Sequence, residues 1–374
     1  MTQYIGAVPE AAKQEVIRVD QSRYDVKNIV YNGLGQINQR GFTSATATNY
    51  YYGYALDGYL FYHQRAGGTQ TLSRETSDVP SLADTDGVQI DASVKILCST
   101  ATTAPTGADE AEFLWRVEGY DWQKLYAQYS TLSFWVKSNQ TGQKSVSIGD
   151  GSRSFTTLYS IKASGTWQRV SIVLPPDAST NQVNDNAKRL QVAWNLRPTG
   201  GTVPRCPTSA LNSWQATAYV SHADDEDLYD TNGQYLSIAG VQWEKGQVAT
   251  QLENTRYSDA FTRCQRYYQR LNSDDYSYQY WGAGFAFSSA DVRFLVHLET
   301  KLRDKPTVTF NGSIRSLGVG GTIALTNSLL DASTQGGKDV ISVRTLQSGH
   351  TQGNTYFLTA NNSTSAYIDI DAEL

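Results

Sequence analysis

The sequence predicts a mainly β protein: a jelly-roll β-sandwich, a connecting helix and a smaller C-terminal β-sandwich, behind an extended N-terminal arm. Three observations predict it. Many short segments alternate apolar and polar residues with a period of two, as half-buried antiparallel strands require. Turn sequences such as Asp150-Gly151, Ser164-Gly165 and Thr199-Gly200-Gly201 punctuate them. One segment, Ser258–Leu271, carries instead an apolar stripe at spacings of three and four.

Residues 1–50 read as extended chain or loop, because Gly33, Gly35, Gly41 and the polar run Thr43–Asn49 offer little core. Such an arm is either a docking element for another protein or a loose terminus. Residues 51–256 read as the jelly roll. In Ser130–Lys137, Leu132, Phe134 and Val136 share one face and Thr131, Ser133, Trp135 and Lys137 the other, so Trp135 points outward. Leu190–Leu196 repeats the pattern, and Gly87–Ser99, Glu110–Glu118, Lys144–Gly149, Ser154–Lys162, Trp167–Leu174 and Tyr235–Trp243 are further strands. Residues 257–272 are the connecting helix. Its stripe is Phe261, Cys264, Tyr268 and Leu271, with Ser258 as N-cap, Asp259 in the first turn and Arg263, Arg266 and Arg270 toward the end, complementing the dipole. In residues 273–374 strands resume around Asp291–Leu298, Val308 and Phe310, Val340–Leu346, Thr355–Ala360 and Ala366–Ala372, and the glycines at 318–321 read as a turn.

Composition narrows the function. The 374 residues carry 31 Lys+Arg against 36 Asp+Glu, a net charge of −5, and only 18% are charged while 11% are aromatic, so the chain folds rather than staying disordered. Without a basic block, nucleic acid is not an expected partner. No stretch approaches the ~18 apolar residues of a membrane span, so no membrane insertion is expected. The opening MTQYIGAVPEAAKQEVIRVD has no apolar core of a secretory leader. Cys98, Cys206 and Cys264 are odd in number and widely spaced, which predicts reduced thiols rather than disulfides or a zinc site.

The chemistry-bearing residues point away from catalysis. His63, His222, His297 and His350 show no metal-ligand spacing, and His297, in an alternating strand, reads as a partly buried structural residue. No nucleophile elbow or phosphate loop occurs. No catalytic, cofactor or metal residue is assigned, no cofactor is expected, and the chain reads as a non-enzyme. The acidic run Asp224–Asp227 with Asp230 and Asn232 offers hard oxygen ligands for Ca²⁺ but lacks the EF-hand pattern, which favours a solvated loop. Two aromatic clusters remain: Tyr50, Tyr51, Tyr52, Tyr54 and Tyr59, and Tyr276, Tyr278, Tyr280 and Trp281. Each is either buried at a subunit interface, the favoured reading, or a stacking platform for sugar rings. Glycan-contact residues are not assignable from the sequence.

Several separated segments resemble tail-fibre and receptor-binding virion proteins of tailed bacteriophages. They are Tyr4–Pro9, Asn28–Gly41 (NIVYNGLGQINQRG), Tyr54–Tyr59, and the passage Ile238–Tyr268 with its E-x-G…A-T…C-Q-R-Y-Y order, followed by Asn361-Asn362 and Ala372-Glu373-Leu374. Leu132–Ser138 and Gly165–Val173 resemble strands of a carbohydrate-binding-module jelly roll, whereas residues 198–232 look like an insertion. The resemblance implies a structural virion protein assembled in the host cytoplasm, docked to other virion proteins, homotrimeric, and facing host surface glycans. Capsid decoration, cement or head-fibre duty is the alternative, and a polysaccharide depolymerase the third choice.

Overall fold

The computed structural model describes residues 27–64, 68–102, 105–177, 183–319, 321–332 and 337–374. The expected arm falls largely outside them, Tyr4–Pro9 included. The fold is mainly β, with a jelly-roll sandwich followed by a second sandwich.

In the first module, one sheet has the order β1 (Ser44–Ala47), β4 (Thr69–Glu75), β5 (Ser93–Thr100), β15 (Tyr235–Lys245), β7 (Ser130–Ser138), β10 (Gln168–Leu174). The opposing sheet has the order β13 (Trp214–Gln215), β9 (Ser154–Ile161), β8 (Gly142–Gly149), β11 (Lys188–Asn195), β6 (Glu110–Glu118), β3 (Tyr59–Gln64), β2 (Tyr50–Leu56). A short parallel pair, β12 (Arg205–Cys206) and β14 (Ser221–His222), lies within the loop region expected as an insertion. The period-two residues of both sheets meet in one core. Phe134 of β7 meets Trp194 of β11 edge-on at 5.5 Å, and Tyr59 stacks on Phe113 at 5.5 Å. Burying each such ring contributes roughly 1.5–3 kcal/mol, so the aromatic surplus of the sequence is in part core.

Residues 28–37, expected in an arm, belong to this core. Ile29, Val30, Tyr31, Leu34 and Ile37 are buried, and the segment runs beside β15 through Ile29 N–H to Trp243 O and Val241 N–H to Gly33 O, both 3.0 Å. Two asparagines supply the rest. Asn28 donates to Val241 O and accepts from the Val30 and Trp243 N–H groups, while Asn32 donates to Ile37 O and Asp57 O. Gly33 is required between them, since a Cβ there would sit 2.2 Å from Val241 O.

Trp135 does point away from the main core, as alternation requires, yet it is buried under Leu34, Val88, Ile90, Ala239 and Leu252. The helix spans Tyr257–Gln265 after Arg256, not Ser258, as N-cap, and Asp259 and Arg263 occupy its first and last turns. It ends early because Tyr268–Asn272 forms β16, whose backbone pairs with β25 (Tyr367–Asp371). Residues 257–272 are therefore a helix followed by a strand. The apolar spacing favours a helix throughout, and cross-strand pairing overrides it from Tyr268 onward.

In the second module, β16, β25 and β19 (Thr307–Asn311) form one sheet. The other has the order β21 (Gly321–Leu325), β20 (Ile314–Gly318), β24 (Thr355–Ala360), β17 (Tyr280–Ala286), β18 (Val292–His297), β23 (Val340–Thr345), β22 (Leu330–Asp331). Val292, Phe294, Val343 and Leu358 face Phe310, Ile368 and Ile370 across the core. Arg40 joins the modules. Its guanidinium lies 3.4 Å from Asp57, 3.2 Å from Asp371 and 3.3 Å from Glu373, and 3.6 Å over the Tyr268 ring. Burial pushes the Glu373 carboxyl up to about 7 despite Arg40.

Candidate functional site

The outward face of the jelly roll's seven-stranded sheet gathers the polar and aromatic residues that the core rejects. Because side chains alternate, Tyr50, Tyr52 and Tyr54 of β2 share this face, while Tyr51 packs against the core and Tyr59, beyond β2, stacks inside it. Register then builds rows across strands. Tyr52 stands opposite Tyr62, Tyr62 opposite Glu112, and Glu112 opposite Asn195. Tyr50, Gln64 and Glu110 form the row on one side. Leu60, Leu114 and Ala193 form the row on the other, a small apolar floor under Tyr54 and Tyr62. Arg116 and Gln191 lie opposite each other beyond it.

The rings are placed by contact rather than left loose. Tyr50 and Tyr52 meet Tyr62 edge-on at 6.1 and 6.4 Å, yet remain 63% and 47% exposed. Arg116 donates to the Tyr52 hydroxyl at 2.7 Å and to the Leu374 carbonyl, and the Tyr54 hydroxyl donates to the same carbonyl at 3.3 Å. The Tyr62 hydroxyl donates to Gln64 Oε1 at 2.5 Å. Asn195 donates to Ser145 Oγ at 2.9 Å and Ser147 Oγ at 3.3 Å, while its buried Oδ1 has no hydrogen-bond partner among the described residues.

Electrostatics set the face's character. Burial, then the neighbouring Glu110, pushes the Glu112 carboxyl up to about 8, and burial also raises Glu110. Burial thus favours the protonated, uncharged form of Glu112 near neutral pH, in which its carboxyl can donate a hydrogen bond. Glu112 lines a pocket of about 100 Å³ with Ser147, Gln191, Arg153 and Tyr219. Amides, hydroxyls and a carboxyl beside exposed ring faces, with the Arg153 guanidinium paired to Asp177, suit a polyhydroxylated ligand.

The other sequence candidates are placed differently. The acidic run is solvated only in part: Asp224, Glu226 and Asp230 are exposed, while Asp225 and Asp227 turn inward. Asp225 is buried, accepting from Ser145 Oγ at 2.6 Å and the His222 N–H at 3.0 Å, and Asp227 pairs with the buried Arg197 at 2.7 Å. The Glu226 carbonyl accepts from the buried Lys144, whose ammonium burial pulls down to about 8. Buried cations thus draw the Asp225 and Asp227 carboxylates inward. Among the described residues no group of three or more His, Cys, Asp and Glu side chains is placed to hold a metal ion. His63, His222 and His350 are buried, but His297 is exposed, against the structural reading. Cys98, Cys206 and Cys264 are buried. No helix among the described residues is long and apolar enough to cross a membrane. In the second module Tyr276 and Tyr278 meet edge-on at 6.1 Å, and Tyr280 meets Phe357 at 5.5 Å. Gln64, Glu110, Glu112, Gln191 and Asn195 were not singled out by sequence. Their common face was readable from alternation, their rows were not.

The sequence matches no protein-family model and no curated protein sequence. Among solved structures, the chain is similar to the tailspike protein 4 enzymatically active domain of bacteriophage CBA120, at 15% identity and TM-score 0.29, over 59% of this chain. It spans 21% of that domain's length. It is also similar to the family 11 carbohydrate-binding module of a Clostridium thermocellum cellulosomal cellulase, at 11% identity and TM-score 0.28, covering 56% of this chain and 98% of the module. The N-terminal CBM22 tandem domain of Paenibacillus barcinonensis Xyn10C aligns over 88% of this chain and 97% of its own, at 10% identity and TM-score 0.26. The jelly-roll assignment rests on the strand order itself.

Proposed function

We propose that this protein is a non-enzymatic bacteriophage virion component, a tail fibre or tail-associated adhesin, whose jelly roll binds host surface glycans. The observation that carries the binding role is the face of Tyr50, Tyr52 and Tyr62 beside Gln64, Gln191 and Glu112, whose uncharged form burial favours. Rings stack on the apolar faces of pyranoses, and uncharged donors bond their hydroxyls without stripping water from an ion. The virion role is supported by the segment order from Asn28–Gly41 to Arg263–Tyr268. In this reading the protein is assembled in the host cytoplasm, docks to other virion proteins and acts as a homotrimer, so that weak single sites gain avidity. The surface three copies would bury is the outer face of the second module's larger sheet. There Leu317, Phe357, Ala283 and Leu295 stand in one row, with Phe285 and Phe287 beside them, and exposed apolar patches of this kind mark contact sites.

The test is a glycan array probed with the purified protein and with Tyr52→Ala and Glu112→Gln. Binding that Tyr52→Ala weakens by roughly tenfold supports the reading, as for an aromatic anchor. Silence on host polysaccharides, together with density for this chain on the capsid, sinks the adhesin in favour of a decoration protein. Release of reducing ends from the bound polysaccharide sinks the non-enzymatic assignment.

A further inference from the structure

A groove of about 590 Å³ opens where the two modules meet, bounded by Gln39 of the first, the helix end at Gln265, and Gln279–Trp281, His297 and Glu299 of the second. The jelly-roll face does not use it, and it absorbs half of the second aromatic cluster. Two rings stand at its wall. The Trp281 indole is pinned by its N–H to Asn272 O at 3.3 Å, and Tyr280 rests edge-on against Phe357 with half its surface exposed.

Its floor is a buried pair of amides. Gln269 is fully committed: it donates to Gln265 O at 3.1 Å and Thr300 O at 2.7 Å, and accepts from the Glu299 N–H at 3.3 Å. Gln265 is only 7% exposed, and its Oε1 accepts from Thr300 Oγ1 at 3.0 Å. Its Nε2 makes no hydrogen bond among the described residues, so a donor free of any protein acceptor lines the groove and meets solvent there. Water can meet that donor, and a hydroxyl oxygen delivered into the groove can take the water's place.

Charge narrows the ligand. Arg270, the guanidinium on the lining, is already spent on Asp369 at 2.7 and 3.1 Å and on the Arg40 carbonyl, and stacks over Tyr367 at 4.0 Å. The Glu299 side chain adds an acceptor and a negative charge. An anion finds no uncommitted guanidinium or ammonium on this lining, while hydroxyls find an indole face, an amide donor and a carboxylate.

We infer that this groove is a second binding site, for a neutral oligosaccharide, built jointly by the helix and the C-terminal sandwich. It is separate from the jelly-roll face and stands or falls apart from it. The test titrates the full chain with cellotetraose, maltotetraose and triacetylchitotriose, and with a hyaluronan tetrasaccharide as the anionic control, up to millimolar concentration. The variants are Trp281→Ala, Gln265→Ala and Trp281→Phe, with Tyr52→Ala marking the other site and thermal melts checking folding. Expected is binding of at least one neutral probe that Trp281→Ala weakens roughly tenfold, as when an aromatic anchor is truncated. Trp281→Phe retains most of it, Gln265→Ala loses part, and Tyr52→Ala leaves it in place. The inference is overturned if no neutral probe binds, if the hyaluronan probe binds better, or if Tyr52→Ala removes binding that Trp281→Ala and Gln265→Ala spare.

Discussion

The two sandwiches solve the same packing problem and expose opposite surfaces. The jelly roll places its largest rings, Trp115, Trp194 and Trp243, wholly inside and turns rows of tyrosine, amide and carboxyl outward. The second module builds its core from Val292, Val343, Leu358 and Ile368 around Phe294, and leaves Phe285, Phe287, Leu295 and Phe357 in the open. A polar face with anchored rings suits a wet ligand, whereas an apolar sheet face suits a dry contact. One chain therefore carries two kinds of surface.

The largest effect expected from breaking this comparison is in the cores. Trp194→Ala costs about 3–5 kcal/mol, while Val343→Ala in the second module costs about half that or less, because less buried volume is lost. Urea melts of both variants measure it, and equal losses would erase the contrast. Next is the seam between modules. Arg40→Met leaves Asp57 and Glu373 buried around a missing charge, and a loss of about 3 kcal/mol is expected in the same melts, with Glu373 partly escaping by taking up a proton.

Smaller effects follow from titration. Glu112 and Glu373 hold their protons more tightly folded than unfolded, with folded values of about 8 and about 7. Their contribution to stability is complete below the ordinary carboxylate value near 4.5 and drains away as pH rises through 7 and 8. Melting temperature should therefore fall across that window, and Glu112→Gln should flatten the fall and melt higher than the parent at alkaline pH by a few degrees. A steeper fall in the variant would sink the assignment. Last, Phe357→Asp should shift the species seen by light scattering toward monomer with little change in the melt of the jelly roll. An unchanged size would remove the apolar face from the proposed trimer contact.

Much of the fold was legible because alternation is local. Glu110–Glu118 and Thr355–Ala360 were bounded to the residue. What escaped depends on distant partners. Residues 28–37 read as loop because their hydrogen bonds run to β15, more than two hundred positions away, through asparagine side chains. The helix was overrun because Tyr268 and Leu271 continue the helical spacing of three and four, while the strand is imposed by pairing with the distant β25. In the site, the three tyrosines of β2 alternate visibly, but Glu112 and Asn195 join Tyr62 only through a register that sequence does not carry.

The segment Asn28–Gly33 has a mechanical consequence. Tension entering the chain through residue 27 meets at once the bonds from Ile29, Asn28 and Gly33 to β15, which is itself held between β5 and β7 in the middle of its sheet. Load passes straight to an inner strand rather than peeling an edge. Force applied from this side therefore pulls on the jelly roll where it is hardest to unzip.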